Sequence, residues 1–345
     1  MGFALPPAAA VRDRSSASRS RAVSGVTAGL VAILLVSGCS AAGTAAGTSA
    51  NGLSSLTVAA VPDVNDAPLY IAAEDGQFAA EGLRVQIKDY GSASSEIAAL
   101  KDGSADVAAG DYADFFYADD SQPDMLIVAE GYDAVAGVME VLVAPDSGIT
   151  TPQQLAGKTI GTPEPQEIPY SANTPYSMET LATQSALQDD GVNPTSVRWK
   201  PMPSADLIGA LSSHRVSAIL VTEPYIVHAE IQAGAGEVLD SLSGTTANLP
   251  LSGYFTSASF ARAHADALTA FRAALQSVQA NANTGAPVRS AIARYAGMNV
   301  QTAALVTIGE YQTSPNASSL QRVVDLLANF GVITKPLNIQ SIILR

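Results

Sequence analysis

Two stretches of this chain share one layout, and that repetition limits the fold more than any other feature. AALKDGSADVAAGDY spans residues 98–112 and GALSSHRVSAILVTEPY spans residues 209–225. Each reads as the end of an Ala/Leu helix, a tight turn, a short apolar strand and then a polar loop. A helix feeding a wholly apolar strand belongs to a covered sheet, hence to an α/β fold. Two such units predict two lobes facing one another across a cleft. Loops at the carboxyl ends of such strands are where α/β sheets bind ligands.

The same alternation fills most of the chain. LTVAAVPD, from Leu56, is an apolar strand ended by a turn. In PLYIAAEDGQFAAEGL, Leu69, Ala72, Ala73 and Phe78 are spaced for one helical face, with Gly82 as the stop. RVQIKDY alternates as a strand, and SSEIAALKDG is a capped helix ending at Gly103. MEVLVAP, Met139 to Pro145, leads into a second set: KTIGT, YSMETLATQSALQDDG, SVRWKPM, SADLIGALSSHR and VSAILVTEPY. From about Ser257 to Phe330 the pattern is helical, and no repeat array is present. At 345 residues, with 47% hydrophobic and 14% charged, the chain is globular and long enough for two domains. The prediction is an α/β fold with a largely parallel sheet.

Cys39 is the single cysteine, so no disulfide can form within one chain. It ends a leader. Residues 1–21 are rich in Arg, Ser and Ala, and Ala22–Val36 is an uncharged apolar run. That run is shorter than the roughly 20 residues a spanning helix needs, and small residues follow it, which is the secretory signal pattern. An uncleaved anchor helix is the alternative, and the length of the run argues against it. Of the 18 basic residues, Arg12, Arg14, Arg19 and Arg21 fall in this leader, with Asp13 from the 32 acids. The chain beyond residue 38 therefore carries 14 basic against 31 acidic residues, a formal charge of −17. Such a surface opposes phosphate, and no nucleic-acid partner is expected.

Val36-Ser37-Gly38-Cys39 resembles the lipobox of bacterial lipoproteins: an aliphatic residue, two small residues and a cysteine. The resemblance implies that residues 1–38 are a signal peptide and that Cys39 becomes the lipidated, palmitate-bearing first residue. Residues 39–55 are small and uncharged and read as a flexible tether.

The body resembles the solute-binding proteins of ABC importers in the nitrate, sulfonate, taurine and thiamine-precursor group (SsuA/THI5-like, NMT1-like). Four motifs carry the likeness in order: PLYIAAEDGQFAAEGLRVQI, EIAALKDGSADVAAG, GITTPQQLAGKTIG and ALSSHRVSAILVTEPY. The resemblance covers essentially Leu56 to Phe330. Two positions depart from the group: His214 stands where its turn has Gly, and Ser217 where its strand has Asp. His is among the residues that tolerate positive φ. The resemblance implies a two-lobed, type II periplasmic-binding-protein-like fold with two hinge crossovers, near Glu140–Pro145 and Leu239–Leu251. Residues 56–142 and 248–345 would then build lobe one, and 145–242 lobe two. It further implies a monomeric, lipid-anchored receptor on the extracytoplasmic face of the cell membrane. Such a receptor captures a small molecule and delivers it to an ABC permease and ATPase.

On that layout the ligand-facing loops are DVNDAP, YGSASS, GDYAD, TPEPQ, NTPYS and TEPY. Asn65 and Asp66 either cap the next helix or touch ligand. Gly91, Ser92 and Ser94 form an ordinary cap or offer free N–H groups to an anion or carbonyl oxygen. Asp111, Tyr112, Glu223 and Tyr225 follow buried strands, Thr162 opens a lobe-two loop, and Tyr176 opens a lobe-two helix. Exposed acids are ordinarily solvated surface, and tyrosines core or rim, although an aromatic body with a polar tip suits a flat ring. The loops hold Asp66, Asp111 and Glu223 and no Lys or Arg. Three carboxylates oppose an anion and suit a neutral or cationic nitrogenous aromatic, such as a thiamine-precursor pyrimidine. A sulfonate, taurine or nitrate receptor working through backbone N–H groups remains open, as does a tethered sensor without an importer. The chain is not expected to be an enzyme. His214, His228 and His264 lie outside HExxH, there is no G-x-S-x-G, and the thiol belongs to the lipobox. A pyrimidine-synthase-like enzyme of the same fold is the remaining catalytic reading, and its Cys-rich motif is absent. No cofactor or metal is expected.

Overall fold

The computed structural model describes residues 53–121, 124–163, 177–295, 298–335 and 337–345. Residues 1–38, Cys39, most of the tether and Tyr176 lie outside these segments. The first part of the chain runs β1 (Ser54–Ala59), α1 (Ala67–Glu74), α2 (Gln77–Ala80), β2 (Leu83–Lys88) and α3 (Ala93–Asp102). It continues through β3 (Val107–Asp111), α4 (Tyr112–Ser121), β4 (Met125–Glu130) and β5 (Tyr132–Asp133). A second set follows: β6 (Met139–Val143), β7 (Thr159–Pro163), α5 (Met178–Asp189), β8 (Arg198–Met202) and α6 (Ser204–Ser212). That set closes with β9 (Ala218–Thr222), α7 (Tyr225–Ala233) and β10 (Gly236–Asp240). The chain returns through β11 (Ser252–Ser257) into α8 (Ala258–Ala263), α9 (Ala265–Ala282), α10 (Ala286–Tyr295) and α11 (Val300–Leu305). After β12 (Glu310–Tyr311) it ends in α12 (Ala317–Asn329) and α13 (Ile339–Ile342).

The strands form two five-stranded sheets, ordered β2-β1-β3-β11-β4 and β10-β6-β9-β7-β8. Both are mixed rather than parallel throughout. β1, β2 and β3 are parallel, while β11 runs antiparallel to β3 and β4. In the other sheet β7, β8 and β9 are parallel, and β6 runs antiparallel to β9 and β10. In each lobe the reversed strand is the one the chain forms on arrival from the other lobe. Strand alternation covers the second sheet on both faces. Met139, Val141, Ala218 and Leu220 join a core that contains Leu181 and Leu187 of α5. Leu142, Ile219 and Val221 pack with Leu207, Leu211 and Ile226 of α6 and α7.

Four expectations change. The first crossover is not at Glu140–Pro145 but before it, because Met139–Leu142 pair with β9 and so belong to the second sheet rather than to lobe one. An apolar run such as MEVLV is an interior strand in either lobe, so its pattern does not reveal which sheet it joins. The helix expected across Leu69–Phe78 is two helices, separated at Gly76, whose φ of +71° no helical residue adopts. Phe78 still reaches the core and stacks on Phe271 with centroids 5.3 Å apart. Ser54 and Ser55, read as tether, pair with Leu83 and Arg84 of β2. Within the C-terminal helical part, Glu310 and Tyr311 pair with Asp133 and Tyr132. His214, in place of the usual turn glycine, does adopt φ +54°.

The two crossovers run side by side. Ala134 N–H donates to Leu249 O and Leu251 N–H to Tyr132 O, both at 2.9 Å. Arg322 of α12 holds the second crossover by donating to the carbonyls of Thr245, Ala247 and Asn248 at 2.9, 2.7 and 3.2 Å.

Candidate functional site

A cavity of about 760 Å³ opens where the strands of both sheets end. Lobe one contributes Asp63 and Asn65 from the loop after β1, Asp111 from the end of β3, Tyr132, and Tyr295 from the end of α10. Lobe two contributes Met178 and Glu179 from the first turn of α5, Thr222 from the end of β9 and Glu223 just after it, and Tyr225 and His228 from α7. A further recess of about 400 Å³ shares Asp111, Glu179, Thr222 and Tyr225 with it. The position follows from chain direction: parallel strands put their loops at one sheet edge, and the crossovers turn the two edges together.

Of the residues singled out from sequence, Asn65, Asp111, Glu223 and Tyr225 line this cavity. The others lie elsewhere. Asp66 is buried, and its N–H donates to Asp63 Oδ1 at 3.1 Å, so it sits behind the wall that Asp63 forms. It makes no side-chain cap bond either. Ser92 caps α3 by accepting from Ser95 N–H, and Gly91 N–H donates to Asp89 Oδ1 at 2.8 Å, so Gly91, Ser92 and Ser94 form the ordinary cap. Tyr112, expected in the cleft, is a core residue. Its ring packs edge-on to Phe255 and tilted on Phe116, because the chain turns into α4 directly after Asp111. Thr162 is wholly buried in β7. Tyr176 and Cys39 fall outside the described residues.

Asp63, Glu179, Tyr132, Tyr295 and His228 are cavity residues that motif reading missed. Asp63 lies in DVNDAP, a loop whose sequence points to Asn65 and Asp66 as its ligand-facing residues. Tyr295 comes from the C-terminal helices, where no motif points to a site.

The electrostatics are one-sided. The cavity wall holds four carboxylates, three tyrosines, and no Lys or Arg. The undescribed segments beyond residue 52 contain no Lys, Arg or His in sequence either. Asp63 is open to cleft water but enclosed by protein beyond it, and that confinement lifts its carboxyl to about 6, with Glu179 adding to the rise. Burial raises Asp111 well above the carboxylate range, with Glu179, Asp114, Asp63 and Glu96 acting in the same sense. Asp66 is raised by burial and then by Asp63, Glu96 and Asp111. Glu96, on α3 behind Gly110, is lifted to about 8 by burial. Glu223 is lifted to about 7 by burial, although the N–H groups of Thr307 and Val227 pull the other way.

Two α/β lobes on paired crossovers, closing on a cavity at their strand ends, define the periplasmic-binding-protein fold. The chain belongs to the NMT1/THI5-like family, which matches residues 63–284. Solved structures with the same fold include the periplasmic aliphatic sulphonate-binding protein SsuA from Escherichia coli, at TM-score 0.69 and 18% identity over 84% of this chain and 97% of that one. The periplasmic nitrate-binding protein NrtA from Synechocystis PCC 6803 is similar at TM-score 0.63 and 14% identity, over 84% and 85%. The desulfurization enzyme DSZB is similar at TM-score 0.64 and 15% identity, over 84% and 96%. No curated protein sequence matches the chain.

Proposed function

We propose that this protein is the lipid-anchored receptor of an ABC importer. It works on the extracytoplasmic face of the membrane and closes its two lobes on a small nitrogenous aromatic ligand. The observation that carries the reading is the interlobe cavity of about 760 Å³, walled by Asp63, Asp111, Glu179 and Glu223 together with Tyr132, Tyr225 and Tyr295. Carboxylates accept hydrogen bonds from ring and exocyclic N–H groups, and tyrosine rings supply flat apolar area for an aromatic body. An aminopyrimidine of the thiamine-precursor type fits that chemistry. The sulphonate- and nitrate-binding neighbours share the fold, but an anion in this cavity would meet acids of its own sign.

The lipobox-like VSGC sequence, with Cys39 as its last residue, and the small-residue stretch after it support tethering beside a permease and ATPase, with the receptor acting as a monomer. A thermal-shift screen with aminopyrimidines, sulfonates, nitrate, flavins and polyamines tests the reading. A ligand at about 100 times its Kd stabilises by about 2.7 kcal/mol. Aminopyrimidine binding without turnover is the expected result. Chemical conversion of a probe without any transporter would make the protein an enzyme instead.

A further inference from the structure

Resting on that receptor reading and deepening it, we propose that the ligand is an organic cation whose positive charge draws the lobes together. It sits between Asp63 and Asp111 of one lobe and Glu179 of the other, beside Tyr295.

The first support is where the chain puts its acids. In this fold, helix N-termini at the cleft are ready anion sites, each worth about half a positive charge. Here four of them, at α1, α4, α5 and α7, carry a carboxylate of the chain. Asp63 and Asp66 precede α1, Asp111 precedes α4, Glu179 lies in the first turn of α5, and Glu223 precedes α7. An ionised carboxylate outweighs half a positive charge, so each of these termini turns net negative when its acid ionises. Glu223 is engaged by backbone N–H groups of Thr307 and Val227. Asp63 likewise accepts from Asp66 N–H at 3.1 Å, and with Asp111 and Glu179 it makes up the rest of the cavity's carboxyls.

The second support is that these three come from both lobes. The charge of Glu179 acts on Asp63 and on Asp111 across the gap. Like charges on facing walls oppose closure, an anion adds to the opposition, and a neutral ligand leaves it in place. Only a cation turns the repulsion into attraction for both walls at once.

The third support is a carboxyl buried behind the wall. Glu96 is 2% exposed, and its Oε1 has no hydrogen-bond partner among the described residues. It lies behind Gly110 of β3, where an added Cβ would lie 3.5 Å from Glu96 Oε2 and 2.8 Å from Phe115 Cε2. Burial lifts Glu96 to about 8, so near neutral pH it is largely protonated and gains charge only where a cation favours the ionised form.

The organic part follows from Tyr295. Its hydroxyl donates to Asp63 O at 2.6 Å, and its ring stacks on Tyr70 with centroids 4.9 Å apart. An aromatic ring is thereby fixed beside the carboxylate, a pairing that suits an ammonium or charged heterocycle.

The test uses three probes of similar shape: benzylamine, benzyl alcohol and benzenesulfonate. Binding is followed by calorimetry near neutral pH in two buffers of different ionisation enthalpy, and interlobe distances by spin labels on α6 and α9. The expected result is binding and closure with benzylamine alone, accompanied by proton release as raised carboxyls ionise on the cation. Glu179→Gln should weaken benzylamine by about tenfold or more and let the free lobes approach. Asp111→Asn removes a carboxyl that can ionise against the cation on the opposite wall and should weaken benzylamine likewise. Binding of benzenesulfonate as tight as that of benzylamine, absence of proton release, or an unchanged benzylamine affinity in both variants would overturn the proposal. Closure on benzenesulfonate or benzyl alcohol leaves the receptor reading standing while the cation inference fails. Lobes that close on none of these, nor on any compound of the wider screen, remove the receptor reading as well.

Discussion

Glu223 Oε1 accepts a hydrogen bond of 2.8 Å from the backbone N–H of Thr307, joining the loop after β9 to the segment between α11 and β12. The tie therefore runs from lobe two to the C-terminal part of lobe one. The same carboxyl accepts from Val227 N–H at 3.5 Å and is 9% exposed. Glu223→Ala leaves both N–H groups without their acceptor and should cost about 1–3 kcal/mol in urea denaturation. Glu223→Gln keeps a carbonyl oxygen and should cost less than half as much.

Arg322 grips the second crossover through three carbonyl oxygens, at Thr245, Ala247 and Asn248. A planar guanidinium presents several donors at once, whereas an ammonium on a flexible stem does not hold that geometry. Arg322→Lys should speed amide exchange across residues 245–251 and lower stability by about 1–2 kcal/mol. Unchanged exchange there would show that the crossover holds itself.

Stability should decline as pH rises from about 4 to about 8. Burial lifts Glu130 from 4.5 to about 8 and Asp133 from 3.8 to about 7, and the charge of Asp133 adds to the rise at Glu130. Glu96 and Glu140 are each lifted by burial to about 8 as well. The folded chain thus binds protons that the unfolded chain releases. This stabilisation is complete below the unfolded values and is lost as pH rises through the raised ones. Tm should be higher at about pH 5 than at about pH 8.5, and Glu130→Gln should flatten the difference.

Tyr112→Phe separates the core role from a binding role. The hydroxyl is buried and has no hydrogen-bond partner among the described residues, while the ring packs on Phe116 and Phe255. Removing an unsatisfied buried hydroxyl recovers part of its desolvation penalty. Ligand affinity should be unchanged, and stability unchanged or raised by up to about 1 kcal/mol. A large loss of affinity would return Tyr112 to the cleft.

Cys39→Ser removes the proposed lipid site without touching any described residue. In cells, labelled palmitate should mark the native chain and not the variant, and the variant should leave the membrane fraction. Labelling of both would place the anchor elsewhere.

Much of the site was readable from strand ends. Asp111 and Glu223 close the apolar runs VAAGD and AILVTE, on strands that run parallel to one neighbour, β3 to β1 and β9 to β7, and so end at the cleft edge of their sheets. Their sequence neighbours were not readable in the same way. Asp111 lines the cavity and Tyr112 lies in the core, one residue apart, because the backbone turns between them into α4. In DVNDAP the same turn exposes Asp63 and buries Asp66.

By itself the sequence determined the strand–helix alternation, the doubling into two units, and the excess of acid over base in the body. Those are properties of local spacing and of composition, and they hold whatever the chain does later. Tertiary structure decided that MEVLV joins the second sheet and that Arg322 holds a crossover. It also decided that Asp63, Asp111, Glu179 and Tyr295 meet around one cavity. Side chains so far apart in the chain meet only when both crossovers are paired and both sheets are packed. Their like charges become a condition on the ligand only once that packing has brought them together.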